Sequence, residues 1–388
     1  MSLNLDRTTW KRVRFGTVVD RAREQWDQID DSVGRYVAGG HFDDDAAEVT
    51  RYGIPDDGGM GSTFTYIFEP GDVLYVSASW YLRKTAVATF RGVVADKTYV
   101  LRSLDPGILE PRFLPWVLRS DALYAFAAAE STGSMNARIL WSTLSRFEFA
   151  LPPLAEQRRL ADLLWATEHH RRELASTAAR LAQVREAMVG EHFSDSETDW
   201  TTLDQVADIT SGLTLGPNRA SLCPVPYLRV ANVQRGSLDL AEIKEVGASE
   251  TEQAMKRIQK NDVLVVEGHA SNTEVGRAAL WTESATPLFQ NHLFRVRSRG
   301  CIEGPFIAEY INGPLGRAYI RTVARSTSGL NTINSTVLKA MPFPNASRSS
   351  QSELLTSIHA IDAALGGCEL EASMLRDART RLIQEVFG

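Results

Sequence analysis

The chain contains the same series of sequence landmarks twice, and this repeat constrains its fold more than any other feature. Trp10 opens the segment WKRVRFGTVVD, and Trp200 opens WTTLDQVADI 190 residues later. Three further pairs follow in the same order: Tyr36 and Tyr227, Asp72 and Asp262, and Ser131 and Ser326. Landmarks in one order at an offset of 190–195 residues indicate an internal duplication.

Each repeat has two parts, which predicts an α+β chain with pseudo-twofold symmetry. The first part has short runs of β-branched and aromatic residues, such as DVLYV and DVLVV, and one amphipathic helical stretch, at 114–130 and at 305–324. The second part has apolar residues in heptads, which is typical of a long helix. The predicted divisions are 1–150, 151–193, 194–349 and 350–388.

The two heptad segments predict long helices that need a partner. At 1.5 Å per residue, about 35 residues extend roughly 50–60 Å. A helix of that length with one narrow apolar seam is unstable alone, so we expect an antiparallel intramolecular coiled coil with one globular domain at each end. Two separate helical hairpins, or a coiled coil between chains, are the alternatives. Gly366-Gly367 predicts a bend or a short break in the second helix.

Composition predicts a cytoplasmic protein without a membrane segment. No run of eighteen apolar residues occurs, the first twenty residues lack an apolar signal core, and the three cysteines lie far apart. The net charge of −6 does not suggest nucleic acid, but the charge is uneven: 291–348 hold eight basic and two acidic residues, whereas 20–57 hold four basic and eleven acidic ones. A local phosphate-facing surface is therefore compatible with the sequence.

The motifs of enzymes that act on DNA are missing, so we predict a non-catalytic chain without a bound cofactor or metal. The sequence has no GxxxxGK[ST] phosphate loop and no Asn-Pro-Pro-aromatic tetrapeptide. Glu168, His169, His170 and Glu173 are interpreted as an exposed helix surface. The acidic run 43–45 is interpreted as a solvated loop or a contact to a basic partner.

Polar loops at corresponding places in the two repeats are the candidates for DNA contacts, since Arg, Asn, Gln and hydroxyl side chains are the groups that bind base edges and phosphates. In the first repeat they are Arg35, His41, Ser79, Arg83, Lys84, Ser134, Asn136 and Arg138. In the second repeat they are Thr214, Arg219, Asn232, Gln234, Arg235, His269, Asn272, Asn291, Arg325, Ser326, Thr327, Ser328 and Asn331. Arg83, Lys84 and the segment RSTSGLN rank first among them.

Three segments resemble a known family. LPPLAEQRRLADLL at 151–164 resembles the junction between recognition domain and helix in type I restriction-modification specificity (S) subunits. GDVLYVSASWYLRKTAVATF and NDVLVVEGHASNTEVGRAAL resemble the core of that family's target recognition domains. The second junction, MPFPNASRSSQSEL, departs from the pattern where the prolines and the Glu-Gln pair would stand, so the pattern does not define the first residue of the second helix.

The resemblance implies a DNA-reading subunit with a recognition domain in each repeat. Each domain would contact one half of a bipartite, asymmetric site on double-stranded DNA. The helices would set the spacing and dock two methyltransferase subunits, which carry S-adenosylmethionine; motor-nuclease subunits would join for restriction. Two other classes stay open from the residues alone: a coiled-coil scaffold that binds only proteins, and an enzyme acting on DNA through an unrecognised site.

Overall fold

The structure is a computed structural model of the chain. The residues that it describes are 5–27, 33–43, 45–55, 58–131, 137–194, 199–216, 219, 221–327 and 329–388. The chain forms two compact units: unit 1 comprises Met1–Ser176 with Cys368–Gly388, and unit 2 comprises Thr177–Gly367. The two ends of each long helix therefore lie in different units, so that each unit contains one stretch of the first long helix and one stretch of the second.

Within its described residues, unit 1 is built from ten short strands, four short helices and one stretch of each of the two long helices. The strands are β1 (Lys11–Arg14), β2 (Val19–Ala22), β3 (Tyr36–Val37), β4 (Glu48–Val49), β5 (Phe64–Phe68), β6 (Val73–Val76), β7 (Thr85–Ala88), β8 (Gly92–Ala95), β9 (Thr98–Ser103) and β10 (Glu148–Leu151). The helices are α1 (Phe15–Val18), α2 (Leu114–Val117), α3 (Asp121–Glu130), α4 (Trp141–Leu144) and the first part of α5 (Leu154–Phe193). The sheets have the orders β2-β9-β6-β7-β4, β3-β8-β5 and β1-β10.

Unit 2 repeats this plan. Its described strands are β11 (Trp200–Thr202), β12 (Ala207–Ser211), β13 (Cys223–Leu228), β14 (Lys244–Ala248), β15 (Val263–Val266), β16 (Gly268–His269), β17 (Ala278–Leu280), β18 (Leu288–Phe289), β19 (Leu293–Ser298), β20 (Arg325–Thr327), β21 (Leu330–Thr332) and β22 (Pro342–Pro344). Its helices are α6 (Leu203–Val206), α7 (Glu250–Lys256), α8 (Gly304–Asn312), α9 (Pro314–Val323), α10 (Ser335–Lys339) and the first part of α11 (Arg348–Phe387). The last part of α5 also belongs to unit 2, and the last part of α11 belongs to unit 1. The sheets have the orders β12-β19-β15-β17, β14-β13-β18, β16-β21-β20 and β11-β22.

The duplication predicted from the landmarks extends to the interactions inside each unit. Asp72 precedes β6, is buried, and receives two hydrogen bonds from the guanidinium of Arg102 on β9, at 2.5 and 2.7 Å. Asp262 precedes β15, is buried, and receives the same two bonds from Arg297 on β19, at 2.7 and 2.6 Å. In each unit the residue before this aspartate, Gly71 or Asn261, has a left-handed backbone, a conformation that these two residue types tolerate best.

The two helical stretches predicted in the repeats are each divided into two helices. The first is split into α2 and α3 because the hydroxyl of Ser120 caps a new helix by accepting the N–H of Leu123 at 3.3 Å. The second is split into α8 and α9 at Gly313-Pro314, since proline starts a helix readily but cannot supply the N–H that continues one.

The junction between domain and long helix uses one glutamine in each unit. Gln157 accepts the N–H of Glu110 at 2.9 Å and donates to the carbonyls of Ile108 and Pro152. Gln351 accepts the N–H of Glu303 at 2.8 Å and donates to the carbonyls of Cys301 and Ala346, with the same geometry 194 residues later. The second junction therefore lacks the prolines of the family pattern at the matching positions, but it retains the glutamine of that pattern as Gln351. The second long helix, α11, begins at Arg348.

The long helices run antiparallel within each unit, because later residues of α5 contact earlier residues of α11. In unit 1, Glu168 binds Arg379 and His170 lies 3.0 Å from Glu371. In unit 2, Arg185 donates to Asp362 at 2.6 Å, and His192 lies 3.3 Å from Ser350. The α+β class and the intramolecular pairing of the two helices are confirmed. Of the bend or short break predicted at Gly366-Gly367, the break is wrong, since α11 continues through both residues.

Glu168 lies in the interior of unit 1, although its sequence context predicted an exposed position on a helix surface. Its side chain is fully buried. Burial raises its pKa, but hydrogen bonds from Arg171 and the charge of Arg379 outweigh burial and hold the pKa below its usual range. Glu168 also accepts the N–H of Ala47 at 3.1 Å, and Asp45 binds Arg379, so the acidic loop of the first repeat contacts a basic partner within the same unit.

We expect Gln157→Ala and Gln351→Ala each to destabilise their own unit by about 1–3 kcal/mol, because a partly buried N–H and two carbonyls lose their partner. Hydrogen exchange at the amides of Glu110 and Glu303 measures each unit separately. Gln234→Ala is the matched control, because this exposed amide only donates to the carbonyl of Ala231. Unchanged protection of both amides in the two variants would show that these glutamines do not hold the junctions.

Candidate nucleic-acid interface

In unit 2, two of the predicted polar loops form one small sheet. The loop after β15 contains β16, and the segment RSTSGLN contains β20 and β21, which pair with one another through Ser326 and Asn331. His269 on β16 is opposite Asn331. The side-chain amide of Asn331 donates to the carbonyl of Ala270 at 2.9 Å, which ties the hairpin to the loop.

The turn that follows β16 presents Asn272 to solvent. The Nδ1 atom of His269 accepts the N–H of Ser271 at 3.0 Å, so in the neutral ring Nε2 carries the hydrogen and can donate to a ligand. The hydroxyls of Ser271 and Thr273 lie 2.7 Å apart. We name the polar residues gathered on this sheet and turn the hairpin cluster: His269, Asn272, Arg325, Ser326 and Asn331.

A cavity of about 410 Å³ is lined by part of the hairpin. Val230, Val323 and Ile333 contribute apolar walls, and Glu267 and His292 contribute polar groups. The ring of His292 lies 2.8 Å from the Glu267 carboxylate. The hairpin cluster therefore combines exposed polar groups with an adjacent apolar recess.

Asn232 was predicted to contact bases, and this prediction is wrong. Its side chain is 3% exposed. Its oxygen accepts the N–H of Arg229 at 2.9 Å, and its amide donates to the carbonyls of Asp239 and Glu242 at 2.8 and 2.9 Å. Asn232 closes its own loop, and these three bonds leave its amide no hydrogen for a base.

Arg219 and Arg235 also serve the fold. Arg219 donates to the carbonyls of Thr214 and Gly247 and forms an ion pair with Glu252 at 2.8 Å. This ion pair, with a hydrogen bond from the N–H of Ser249, lowers the pKa of Glu252 to about 2. Arg235 donates to the carbonyl of Thr273 at 2.5 Å, and its burial lowers its pKa. Both arginines donate hydrogen bonds to backbone carbonyls within unit 2. Neither guanidinium is therefore fully available to bind the edge of a guanine.

The other candidates of unit 2 lie in separate loops. Thr214 is exposed, and its neighbour Leu213 accepts the N–H of Asn291 at 2.8 Å, so Thr214 and Asn291 share one edge. Gln234 donates to the carbonyl of Ala231 at 2.9 Å. Thr327 is placed by its backbone in β20. Ser328 lies outside the described residues, as do Ser134 and Asn136 of the first repeat.

In unit 1, Arg83 and Lys84, the two basic residues that were the leading candidates for DNA contacts, bind other groups of the same unit. Arg83 donates to Asp121 at 2.8 Å and lies over the ring of Tyr124, 4.1 Å from its centre. Lys84 donates to the carbonyl of Gly39 at 2.6 Å. These contacts hold the turn 79–84, in which Ser79 lies, and leave Tyr81 and Leu82 facing solvent. Neither Tyr81 nor Leu82 is among the predicted DNA contacts, because those predictions considered the polar residue types that bind base edges and phosphates.

Two further candidates of unit 1 also make internal contacts. The Arg35 guanidinium lies 4.5 and 5.2 Å from the ring centres of Tyr52 and Phe90. The Nδ1 atom of His41 accepts the N–H of Ala38 at 3.1 Å, which closes a local turn. Arg35 is exposed, whereas His41 is half-buried.

Arg138 belongs to a group of three arginines that we name the arginine cluster: Arg21, Arg23 and Arg138. Arg21 lies 4.1 Å above the ring of Tyr99. Partial burial lowers its pKa, and the neighbouring charges of Arg23 and Arg138 lower it further. Arg138 pairs with Asp96, at 3.7 Å. The sequence analysis missed Arg21 and Arg23 because the segment 20–57 is acidic overall; their spacing of two along an extended segment was the available signal.

The described residues contain neither a metal-binding group of side chains nor a membrane-spanning helix. No three or more His, Cys, Asp or Glu side chains are grouped there so that they could hold a metal ion. Within the same ranges, every helix is too short or too polar to span a bilayer.

Comparison with known proteins places the fold. No family model matches the chain. The type I restriction enzyme EcoKI specificity subunit of Escherichia coli (strain K12) is 22% identical over 263 residues, which cover 60% of this chain and 56% of that protein. The match thus spans little more than half the length of this relative.

Three solved structures are similar over nearly the whole chain. A chain from a type I R-M system studied for its complex assembly and conformational transition is 19% identical, with a TM-score of 0.61, and the match covers 98% of this chain and 96% of that one. The S subunit of a type I restriction-modification system from M. genitalium is 14% identical, with a TM-score of 0.56 and coverage of 100% and 98%. The HsdS subunit from Thermoanaerobacter tengcongensis is 17% identical, with a TM-score of 0.50 and coverage of 98% and 97%. The resemblance to type I restriction-modification specificity subunits indicated by the junction and core residues is therefore confirmed, and the chain has the fold of that family.

Proposed function

We propose that this chain is the DNA-specificity subunit of a type I restriction-modification complex, and that each unit reads one half of a bipartite, asymmetric site. One observation carries the proposal: the two units share a scaffold but differ at the same edge. The loop after β6 in unit 1 has the sequence SASWYLRK, and the loop after β15 in unit 2 has EGHASNTE. A shared scaffold with different edge residues is what reading two different half-sites requires.

The hairpin cluster supports this reading in unit 2. The Asn272 amide and the Ser326 hydroxyl are exposed and have both donor and acceptor capacity, and the exposed Arg325 guanidinium suits guanine or phosphate. Residues on a paired hairpin are held more precisely than residues on a free loop, which favours base contacts over nonspecific attraction. In unit 1 the arginine cluster would contact phosphates.

The long helices would dock two methyltransferase subunits. Leu370 and Met374 lie four residues apart on α11 and are 65% and 62% exposed, and Val184 on α5 is 55% exposed. Residues four apart share one helix face, so Leu370 and Met374 form an apolar strip that a partner helix could cover.

In this proposal the methyltransferase subunits bind S-adenosylmethionine and catalyse methylation, and motor-nuclease subunits join them for restriction. The chain itself would be non-catalytic, and its net charge of −6 would leave much of the phosphate neutralisation to its partners.

Exchanging residues 200–345 for the corresponding segment of another specificity subunit should change one half of the methylated sequence and keep the other. The segment begins at β11 and ends before α11, so both helices stay intact. Methylation mapping in cells that carry the methyltransferase subunits reads both halves at once. The reciprocal exchange of 10–150 is the control and should change the opposite half. Loss of both halves, or a change in neither, contradicts the model of one half-site per unit.

The spacing between half-sites should depend on helix length. We would insert seven residues between Ser176 and Thr177 and seven between Gly367 and Cys368, which preserves the heptad and the helix contacts inside each unit. The insertion adds roughly 10 Å at 1.5 Å per residue. This length corresponds to about three base pairs at 3.4 Å each.

Three base pairs also rotate the second half-site by roughly 100° at about 10.5 base pairs per turn. We therefore expect either a longer spacer with both halves unchanged or strongly weakened methylation of the original site. An insertion in one helix only is the control, and it should disrupt assembly by shifting the seam. Full activity on the original spacing would mean that the helices do not measure it.

Asn272→Ala and Asn232→Ala separate reading from folding, because the two asparagines differ in burial within one unit. Asn232→Ala should destabilise unit 2 by about 1–3 kcal/mol, since one N–H and two carbonyls lose their partner. Asn272→Ala should change stability by less than about 0.5 kcal/mol. It should nevertheless cost about 1–3 kcal/mol of discrimination at one base pair of the half-site.

Hydrogen exchange in unit 2 and competitive methylation of site variants give the two readouts. If Asn272→Ala methylates all site variants as the unmodified complex does, Asn272 is not a base contact. A chain that binds methyltransferase subunits but confers no sequence preference on them would instead support the scaffold function.

A further inference from the structure

The turn between β6 and β7 of unit 1 has an unusual backbone. Among the described residues, four that are not glycine have positive φ, and two of them, Ser79 and Arg83, lie in this turn with φ of 50° and 53°. Between them Trp80–Leu82 form a single 3₁₀ turn. A left-handed backbone costs conformational free energy in a residue with a Cβ, so the surrounding structure must impose it.

The contacts that impose this backbone use the polar groups of the turn. The N–H of Ser79 donates to the carbonyl of Ala137 at 2.9 Å, and the N–H of Arg83 donates to the carbonyl of Trp80 at 3.0 Å. The side chain of Arg83 is held by Asp121 and Tyr124, and that of Lys84 by the carbonyl of Gly39. The cations of the turn are thus committed to holding it in place.

The residues that the turn presents are apolar. Tyr81 is 55% exposed and Leu82 is 53% exposed, and they are adjacent in the chain. They border a cleft of about 320 Å³ whose carboxylates are paired with arginines: Asp43 with Arg51, Asp45 with Arg379, and Asp121 with Arg83. The corresponding loop of unit 2, HASNTE at 269–274, has no large apolar residue.

The neighbourhood of the turn suits a polyanion. The backbone of Ala78, directly before the turn, forms a β-bridge with that of Arg138. The Arg138 guanidinium is paired with Asp96 at 3.7 Å and remains 29% exposed. Arginines beside an exposed apolar pair are the arrangement that proteins use to insert a wedge between DNA bases while phosphates are held on either side. A rigid turn favours insertion, because a wedge that could fold back would not keep the bases apart.

We propose that Tyr81 and Leu82 form an apolar wedge that enters a base step of the half-site read by unit 1 and partly unstacks it. This inference rests on the proposed DNA-specificity function. The occupant is duplex DNA, and the step should be a flexible pyrimidine–purine step, since these steps unstack at the lowest cost. Unit 2 would read its half-site without a wedge. The two units then differ in how they read as well as in what they read.

Permanganate oxidation of unstacked thymines tests the wedge on the complex assembled with its methyltransferase subunits and bound to a duplex that carries its methylated site. Methyltransferases flip their target base out of the duplex, so reactivity at the two methylated positions is expected with or without a wedge. Away from those positions, the complex should show one further reactive thymine, or one further fluorescent position when 2-aminopurine replaces an adenine that is not methylated, only in the half-site of unit 1. Tyr81→Ser with Leu82→Ser should abolish that signal and weaken binding by roughly tenfold, given the usual contribution of base–aromatic stacking. Tyr81→Phe should retain the signal, because the ring is kept.

Leu104→Ser with Ile108→Ser is the matched control, since these residues are 54% and 50% exposed in the same unit. This control should leave signal and affinity unchanged. Unaltered distortion and affinity in the Tyr81/Leu82 double variant would overturn the wedge while the DNA-specificity function stands. Failure of that variant to assemble with methyltransferase subunits, with distortion unaltered in the complex that does form, would also overturn it and assign the pair to a protein contact. If the unmodified complex selects no DNA sequence, the proposed function fails, and the wedge fails with it.

Discussion

The two long helices depend on each other, and the charged pairs between them fix how they meet. Each helix has 40 residues and one narrow apolar seam, so neither would be stable alone in water. Glu168 on α5 binds Arg379 on α11, and Arg185 on α5 binds Asp362 on α11. The two pairs are related by the offset of 194 residues that also relates Gln157 to Gln351. A buried charge that loses its partner is costly, so the almost fully buried pair of Glu168 and Arg379 disfavours any other register of the seam.

The same charged pairs also attach each globular part to its stretch of helix. In unit 1, Glu168 accepts the N–H of Ala47, and Arg379 binds Asp45 of the same loop. In unit 2, Arg185 binds Glu309 of α8 at 2.8 Å as well as Asp362. Burial lowers the pKa of Arg185, but the two carboxylates outweigh burial and raise it. The unit 1 pair is the more deeply buried, because the Glu168 and Arg379 side chains are 0% and 3% exposed whereas that of Asp362 is 45% exposed.

A duplicated scaffold leaves the edge loops free to differ. The paired aspartate and arginine, Asp72 with Arg102 and Asp262 with Arg297, hold corresponding strands in the two units. Beyond those strands, unit 2 continues into a paired hairpin that gathers His269, Ser326 and Asn331. Unit 1 instead has a turn with left-handed residues, Ser79 and Arg83, at the corresponding place. The basic side chains of this turn, Arg83 and Lys84, bind groups within unit 1. Strain and exposed apolar groups are retained in proteins chiefly where function needs them, which favours a functional role for this turn.

The duplication, the α+β class and the two long helices could be predicted from the amino-acid sequence alone, because repeats and periodic apolar residues can be recognised in the linear chain. The sequence also located the loops that meet at the edge of unit 2, since β15 and RSTSGLN occur at matched places in the repeats. What each side chain does in those loops was decided by tertiary structure. Asn232 and Asn272 have the same chemistry, yet one closes a buried loop and the other faces solvent.

Arg83 and Lys84 are basic in any context, but Asp121 and Gly39, which hold them, are distant in sequence. Glu168 was indistinguishable from a surface helix residue until Arg379, 211 positions away, was placed beside it. A pattern of residues predicts which segments fold and which face is apolar. The partner of a polar side chain depends on contacts between distant segments, and only the folded chain brings those segments together.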